Sequence, residues 1–281
     1  LSTAITKTMK IAIVHEWFDK YAGSERVVEQ FLAIFPDADL FAIVDFLPEN
    51  ERWFIQSKPV KTTFIQGLPF AKKHFRNYLP LFPFAIEQID LRGYDLIISS
   101  SHAVAKGILT HADQLHICYC HSPMRYAWDL YHQYLEEANL QNGIRGLLAK
   151  SILNYLRMWD YNSSNRVNEF VANSNFIGRR IKNAYNRTAT TIYPPVDTDA
   201  FQLHTQKEDY YFTAARMVPY KRLDIIAEAF TQMPDKKLLI VGKGDEYKKI
   251  KAKAGKNVTI LPYLSFQELQ QHMAKAKAFI F

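Results

Sequence analysis

Short apolar runs rich in β-branched residues alternate with amphipathic stretches along the first two thirds of the chain. Two of those stretches, residues 27–35 and residues 152–159, carry apolar side chains at the spacing of one helical face. The apolar runs predict strands at 10–15, 40–44, 60–65, 95–100, 116–121, 170–174 and 190–193. Strands that alternate with helices pair in parallel through right-handed crossovers, so the pattern predicts an α/β fold.

The turn-rich segment 193–197 (YPPVD) interrupts this alternation, and polar residues follow it at 203–208. We therefore predict two domains, residues 9–202 and residues 203–281. Residues 1–8 are expected to be a remnant added for expression, and further chain is expected to follow the apolar run that ends at Phe281. In the second domain the pattern predicts strands at 210–215, 237–241, 257–261 and 278–281 and helices at 223–233, 246–254 and 266–276.

The composition limits the class of protein. Hydrophobic residues make up 48% of the 281 residues and charged residues 22%, which excludes disordered and fibrous classes. The net charge of +7 suits a phosphate-bearing substrate, an anionic membrane face or nucleic acid. No zinc-finger, RNP-like or leucine-zipper signature supports nucleic acid as a partner, so we expect none. No run of about eighteen apolar residues predicts a transmembrane helix.

The only cysteines, Cys118 and Cys120, are alternate residues of one apolar run. On a strand they share a face, which does not suit a disulfide, and no second pair completes a zinc site. We predict buried, reduced thiols, which fit a cytoplasmic protein. The sequence has no GxxxxGK[ST], GxSxG or HExxH motif, so nothing indicates a P-loop kinase, a serine hydrolase or a zinc peptidase.

The loop after the first predicted strand ends at Gly23 and Ser24, where a helix begins. Parallel sheets bind ligands at the carboxyl ends of their strands. Gly23 would let a ligand approach the backbone closely, and Ser24 is expected to be the helix N-cap. The free N–H groups and the helix dipole make this a candidate anion site, and a simple turn with a cap is the alternative.

The strand predicted at 116–121 delivers His121 to the same edge of the sheet, followed by Arg125 and Asp129. A histidine at a strand end, beside a cation and a carboxylate, is suited to donate to a sugar hydroxyl or to buffer developing charge. The alternative makes His121 a loop-capping residue and Trp128 a packing anchor.

Three cations follow the first strand of the second domain, and two of them lie five residues apart. Arg216 follows that strand directly, and Lys221 and Arg222 precede a predicted helix. Cations oppose the positive end of a helix dipole, and a bound diphosphate would relieve that conflict. A solvated basic loop is the alternative.

The next two strands of the second domain also end in candidate ligand contacts. Gly242 and Gly244 permit close approach to the backbone, although a strand followed by Gly-x-Gly is a weak signal on its own. Pro262 and Tyr263 end the following strand, where we expect them to pack near a base.

A basic cluster at residues 72–76 runs directly into aromatic and aliphatic residues up to Phe84. Such a segment suits contact with an anionic membrane surface. Acceptor recognition, or a helix packed into the core, are the alternatives.

Taken together, these features resemble glycosyltransferase family 4, whose members are retaining enzymes with the GT-B fold of two Rossmann-like domains. The resemblance runs from Lys10 to Phe281 and is most similar to the branch that builds bacterial surface polysaccharides. It is carried by segments 22–27 (AGSERV), 121–129 (HSPMRYAWD), 171–174 (VANS), 193–197 (YPPVD) and 216–222 (RMVPYKR). It implies two parallel sheets facing a central cleft, an acceptor-binding N-terminal domain and a donor-binding C-terminal domain.

The resemblance also implies roles for single residues. His121 would lie near the reacting sugar, and Arg216 and Lys221 would hold the diphosphate as leaving group, so these three are the candidate catalytic residues. The implied donor-binding residues are Gly23, Arg216, Lys221, Gly242, Gly244, Pro262, Tyr263 and Leu264. The candidate acceptor-binding residues are Ser24, Arg125 and Asp129.

The implied reaction moves a hexose from a nucleoside-diphosphate sugar to a glycan or lipid-linked acceptor, with UDP-glucose favoured and GDP-mannose as the alternative. No metal or other cofactor is expected. The enzyme is expected in the cytoplasm, with peripheral contact at the inner membrane face. One departure is that the family's paired glutamates, seven residues apart, match nothing up to Phe281. A sugar-nucleotide epimerase and a non-catalytic nucleotide-sugar or glycan-binding module are the alternatives.

Overall fold

The computed structural model describes residues 9–262 and 264–281. The chain divides into two compact units, one ending at Pro195 and the other beginning at Val196. Each unit is built on its own parallel sheet flanked by helices. The α/β class that the apolar pattern predicts is therefore confirmed.

The first unit contains a seven-stranded sheet in which all paired neighbours run parallel. Its strands are β1 (Ile11–His15), β2 (Asp39–Ala42), β3 (Val60–Thr62), β4 (Leu96–Ser101), β5 (Leu115–Cys120), β6 (Glu169–Ala172) and β7 (Thr190–Thr191).

The strand order β3-β2-β1-β4-β5-β6-β7 places a topological switch between β1 and β4. The chain builds outward from β1 through β2 and β3, then starts again at β4 on the other side of β1. His15, the last residue of β1, pairs with Ala42 on one side and with Ser100 on the other. Ligand crevices in open parallel sheets form at the carboxyl ends of the strands, where the order reverses. The ends of β1 and β4 are thus where a ligand crevice of this sheet is expected.

Helices cover both faces of the first sheet, because alternate strand residues point to opposite sides. Ile13 packs with Val28 and Leu32 of the first helix, whereas Val14 packs with Phe82 and Leu156 on the other face. Full burial of one such side chain contributes about 1.5–3 kcal/mol. The α-helices of this unit are α1 (Gly23–Ile34), α2 (Ala71–His74), α3 (Phe82–Glu87), α4 (Tyr131–Glu137), α5 (Gly143–Ser164) and α6 (Asn175–Tyr185).

The second unit has a three-stranded parallel sheet of β8 (Tyr211–Ala214), β9 (Leu238–Val241) and β10 (Val258–Leu261), in the order β10-β9-β8. Its helices are α7 (Leu223–Thr231), α8 (Tyr247–Lys253) and α9 (Phe266–Lys275). Short 3-10 helices complete the two units at Glu49–Ile55, Phe64–Gly67, Phe75–Leu81, Ala105–Gly107 and Pro219–Lys221.

Several predicted strands are shorter than expected, among them those at 278–281 and 190–193. Only Phe279 of the predicted strand 278–281 bridges β8, because the ladder bonds of Ala278 and Ile280 both go to Phe212. The strand predicted at 190–193 ends at Thr191, and the prolines that follow at 194 and 195 have no N–H with which to extend a ladder.

The cysteines are free and buried, as predicted. No helix among residues 9–262 and 264–281 has both the length and the apolarity needed to cross a membrane.

Candidate functional site

Glu16 is fully buried directly after β1, at the topological switch. Its carboxylate accepts hydrogen bonds of 2.7–3.1 Å from the Ser101 hydroxyl and from the backbone N–H groups of residues 102–105. Burial alone would raise the pKa of Glu16, but the charge of His102 and these N–H groups outweigh it and hold the pKa below its usual range. Glu16 is therefore a fixed anion that shapes the loop after β4.

A row of polar side chains crosses the same edge. Ser100 Oγ of β4 lies 3.1 Å from His15 Nδ1 and 2.8 Å from His121 Nε2. On its other side, His15 Nε2 lies 3.3 Å from Oε1 of Glu25 on α1. The structure therefore connects two predicted segments, the start of α1 and the end of β5, through side chains of β1 and β4.

His121 leaves the end of β5 with its ring partly exposed and Tyr119 packed against it, the two ring centroids 5.2 Å apart. Burial lowers the pKa of His121 to about 3, and the charges of His102 and His15 act in the same direction. The ring is therefore neutral at pH 7.

The start of α1 differs from the prediction. The helix begins at Gly23 with Ala22 as N-cap, so the expectation that Ser24 caps the helix is wrong. Glu25 folds back instead: its Oε2 accepts from the Ala22 N–H at 3.1 Å and from Ser24 Oγ at 2.9 Å. A carboxylate of the chain itself thus lies at this helix end. Gly23 remains open, since a Cβ there would meet nothing within 4 Å.

Arg125 and Asp129 both lie after His121 but differ in their exposure to solvent. Arg125 is half-buried in the turn, whereas Asp129 is exposed and forms an ion pair with Arg180 of α6. Trp128 donates from Nε1 to Asp160 Oδ2 at 2.7 Å, so it is a packing anchor, as the alternative interpretation held.

In the second unit, Arg216 is exposed directly after β8, and its Nη2 donates to the Tyr220 hydroxyl at 2.8 Å. Lys221 lies in the following turn with its Nζ 4.4 Å from the centroid of the Phe281 ring. Lys221, Tyr220 and Phe281 help to line a cavity of about 280 Å³ at the end of β8.

The two glycines after β9 lie against the backbone of the loop that carries Arg216. A Cβ at Gly242 would lie 2.0 Å from the Ala215 carbonyl oxygen, and one at Gly244 would lie 2.2 Å from that of Met217. Gly244 also has a φ of +151°, which favours glycine. Within the described residues, the chain's own backbone therefore makes the close approach that the sequence predicts at Gly242 and Gly244.

The structure describes only part of the predicted contact segment 262–264, which follows β10. Pro262 is exposed after β10, and the half-buried Leu264 packs beside Val241 and Ala276. Tyr263 lies outside the described residues.

A family model described as Glycosyltransferase Family 4 matches residues 39–200, more than half of the chain. The chain belongs to glycosyltransferase family 4. A second model, described as Glycosyl transferases group 1, matches residues 196–281 of this glycosyltransferase. The alternatives of an epimerase and of a non-catalytic binding module are therefore set aside. No curated protein matches the chain.

Solved structures share the fold of this family 4 glycosyltransferase at low sequence identity. Anabaena Alr3699/HepE in complex with UDP and glucose is 17% identical, with a TM-score of 0.62 over 97% of this chain and 73% of that one. TarM is 12% identical, with a TM-score of 0.59 over 97% and 80%. A glycosyltransferase from Rickettsia africae is 13% identical, with a TM-score of 0.53 over 96% and 72%. These likenesses confirm the GT-B fold.

Sequence reasoning about this glycosyltransferase missed four buried polar residues at the switch: His15, Glu16, Glu25 and Ser100. A signal was present, because polar residues end two otherwise apolar runs, His15-Glu16 at the end of β1 and Ser99 to Ser101 at the end of β4. Their partners could not be predicted, since the contacts join positions up to 89 residues apart.

Two further observations concern what the glycosyltransferase could hold. Within the described residues, no three His, Cys, Asp or Glu side chains gather into a potential metal site. A larger cavity of about 710 Å³ lies between residues 200–207 and α9, and no predicted site residue lines it.

Proposed function

We propose that this glycosyltransferase transfers a hexose from a nucleoside-diphosphate sugar to a glycan or lipid-linked acceptor, with retention at the anomeric carbon. The donor class rests on one observation. Arg216 and Lys221 form no ion pair with any described residue, although both stand beside the carboxyl end of β8. Arg222 provides a contrast, because its guanidinium pairs with Asp224 at 3.1 Å.

Cations without a carboxylate partner at a strand end are suited to a diphosphate. The guanidinium of Arg216 offers a planar fork of donors to phosphate oxygens, and the Lys221 ammonium adds a point charge. In the transition state the departing diphosphate gains negative charge, which fixed cations stabilise without reorganisation. We therefore propose that transfer needs no metal ion.

The proposal extends to the donor sugar and the pathway. We favour a UDP-hexose over GDP-mannose, and place the reaction in polysaccharide biosynthesis in the bacterial cytoplasm. HepE was solved with UDP and glucose, so UDP-glucose is the first donor to test. We propose that His121 faces the reacting sugar and that Arg125 contributes to the acceptor side. Asp129 would have to exchange its ion pair with Arg180 to do so.

Release of nucleoside diphosphate from UDP-glucose and GDP-mannose, with and without acceptor glycans, tests this proposal. We expect Arg216→Ala and Lys221→Ala each to lower kcat about 100-fold. Arg222→Asn is the matched control, because it removes a neighbouring but paired cation and asparagine tolerates the left-handed backbone at φ 50°. Equal turnover in all three variants would remove the assigned roles.

We also propose peripheral membrane contact through the basic-aromatic segment, residues 70–84. Its Phe75 and Phe82 side chains are buried, which matches the core-helix alternative. Phe70 and Phe84, by contrast, are 81% and 58% exposed, and the exposed lysines 72 and 73 lie between them. Exposed aromatic rings with adjacent cations suit an anionic lipid surface.

Flotation with vesicles tests this contact. We expect binding to vesicles containing anionic lipid and none to zwitterionic ones. The double variant Phe70→Ser/Phe84→Ser should lose most of the bound fraction, because both apolar insertions are removed. Phe201→Ser, at a 44% exposed aromatic residue outside the segment, is the control. Equal flotation of both variants would contradict the proposal.

A further inference from the structure

Four side chains from four elements form one hydrogen-bonded row at the switch. It runs from Glu25 Oε1 to His15 Nε2 at 3.3 Å, from His15 Nδ1 to Ser100 Oγ at 3.1 Å, and from Ser100 Oγ to His121 Nε2 at 2.8 Å. His15 and Ser100 are fully inaccessible and Glu25 is 3% exposed, whereas His121 is partly exposed. The row therefore has a buried acidic end and an open histidine end.

The buried end sets the direction of the first hydrogen bond in the row. Burial alone would raise the pKa of Glu25, but its hydrogen bond with His15, the charge of His15 and its bond with Ser24 bring the pKa down to about 2. As a carboxylate Glu25 only accepts, so the proton between the two residues is on His15 Nε2. When His15 carries a single proton, its Nδ1 is then a lone pair, and it accepts the hydroxyl proton of Ser100.

A serine hydroxyl has one proton and two lone pairs. Because Ser100 donates its only proton to His15, its oxygen must accept at the other contact. The proton of neutral His121 is therefore on Nε2, and Nδ1 carries a lone pair. Nδ1 makes no hydrogen bond with any residue of the described chain.

We propose that Glu25, His15 and Ser100 are positioning residues, which hold His121 as the Nε2–H tautomer and leave Nδ1 as an acceptor for a hydroxyl group of the bound sugar. This inference rests on the proposed function for the identity of the ligand. It reverses the sequence-based expectation that His121 donates to that hydroxyl. The tautomer of His121 follows from the hydrogen bond between its Nε2 and Ser100 Oγ, because that bond determines which ring nitrogen carries the proton.

The charged groups around His121 allow one other state. His102 lies 6.4 Å away between ring centroids, and Glu16 and Glu25 flank the cluster from the loop after β1 and from α1. If His15 were doubly protonated, it would donate to Ser100, Ser100 would donate to His121 Nε2, and the proton of His121 would lie on Nδ1. The tautomer of His121 therefore reports which state the row adopts.

Two-bond ¹H–¹⁵N NMR of the full chain at pH 7 distinguishes the tautomers. His121 is assigned by loss of its signals in His121→Gln. We expect a protonated Nε2 and an unprotonated Nδ1 in the wild type, a mixture of both tautomers in Ser100→Ala, and recovery in Ser100→Thr. The other eight histidines report folding. A wild-type His121 protonated on Nδ1, or an unchanged tautomer in Ser100→Ala, would overturn the inference.

Ligand binding gives an independent readout of the same row. We expect Ser100→Ala and Glu25→Gln to weaken UDP-glucose binding by about two- to fivefold, because only a fraction of His121 then presents Nδ1 as an acceptor, and to leave UDP binding unchanged. Equal weakening for UDP would indicate a merely structural role and contradict the inference. If wild type binds neither ligand, the proposed function fails, while the NMR result still decides the tautomer.

Discussion

At the scale of single residues, two histidines show how burial sets the charge state. His116 of β5 is fully buried, with Nε2 2.8 Å from Ser99 Oγ and Nδ1 3.3 Å from the Arg166 carbonyl oxygen. Burial lowers its pKa to about 4, although the bond with the Arg166 carbonyl opposes this. His121 is shifted in the same direction. Both rings therefore remain neutral in the folded protein at pH values where an exposed histidine is protonated.

The pKa of His116 predicts a loss of stability in mild acid. The unfolded chain binds the proton near pH 6.5 and the folded chain only near pH 4, so stability falls as pH decreases between these values. Between pH 7 and pH 5 this single residue should account for a loss on the order of 2 kcal/mol. Urea unfolding of wild type and His116→Asn at both pH values measures the difference. An equal pH dependence in both proteins would contradict the assignment.

Single residues also show where prediction from sequence stops. The glycines at 242 and 244 were recognisable as a tight approach, but the sequence could not indicate that Ala215 and Met217 make it. Ser24 has the expected chemistry of an N-cap, yet Ala22 is the N-cap and the Glu25 carboxylate, held by the buried His15, accepts from the Ala22 N–H. In both cases the sequence carries the local signal but not the identity of the contacting partner.

At the scale of elements, a buried ionic cluster fixes α5 against the first sheet. Lys106, after β4, forms an ion pair with Asp160 of α5, and both are almost wholly inaccessible. The second oxygen of Asp160 accepts from Trp128 Nε1 at 2.7 Å and from the Tyr185 hydroxyl at 2.8 Å. One carboxylate therefore joins the loop after β4, the turn after β5, α5 and α6.

Removing one partner of the Lys106–Asp160 pair should lower the free energy of unfolding much more than removing both. Asp160→Leu leaves the Lys106 ammonium buried without a counter-charge, and we expect a loss of roughly 3–5 kcal/mol. In the double variant Lys106→Met/Asp160→Leu no unpaired charge remains, so it should be more stable than Asp160→Leu alone. Chemical denaturation of both single variants and the double variant measures the coupling. Additive losses would contradict a coupled pair.

Most elements were predictable, because apolar periodicity is a local property. Each strand of both sheets overlaps a predicted run, and the helices starting at Gly23 and Leu223 follow the apolar stripe. The segment at 278–281 is as apolar as the predicted strands that formed. Its pairing with β8 depends on hydrogen bonds to residues distant in sequence, which an apolar pattern does not reveal. The start of α5, at Gly143, also lay beyond the predicted stripe at 152–159.

At the scale of the whole molecule, family membership and fold agree with the order of motifs along the chain. The net charge of +7 suits an anionic substrate, and the end of β8 carries two cations that form no ion pair within the described part of the chain. Family membership supplies the reaction class, while the donor rests on Arg216 and Lys221. We therefore propose that these two side chains bind the diphosphate.

Calorimetric titration of wild type and Arg216→Ala/Lys221→Ala with UDP and with uridine tests this claim most directly. Uridine lacks the phosphates, so the two proteins should bind it equally. We expect wild type to bind UDP at least tenfold more tightly than the double variant does, since two charge-assisted contacts are lost. Equal affinity of the two proteins for UDP, or tighter binding of uridine than of UDP by wild type, would contradict it.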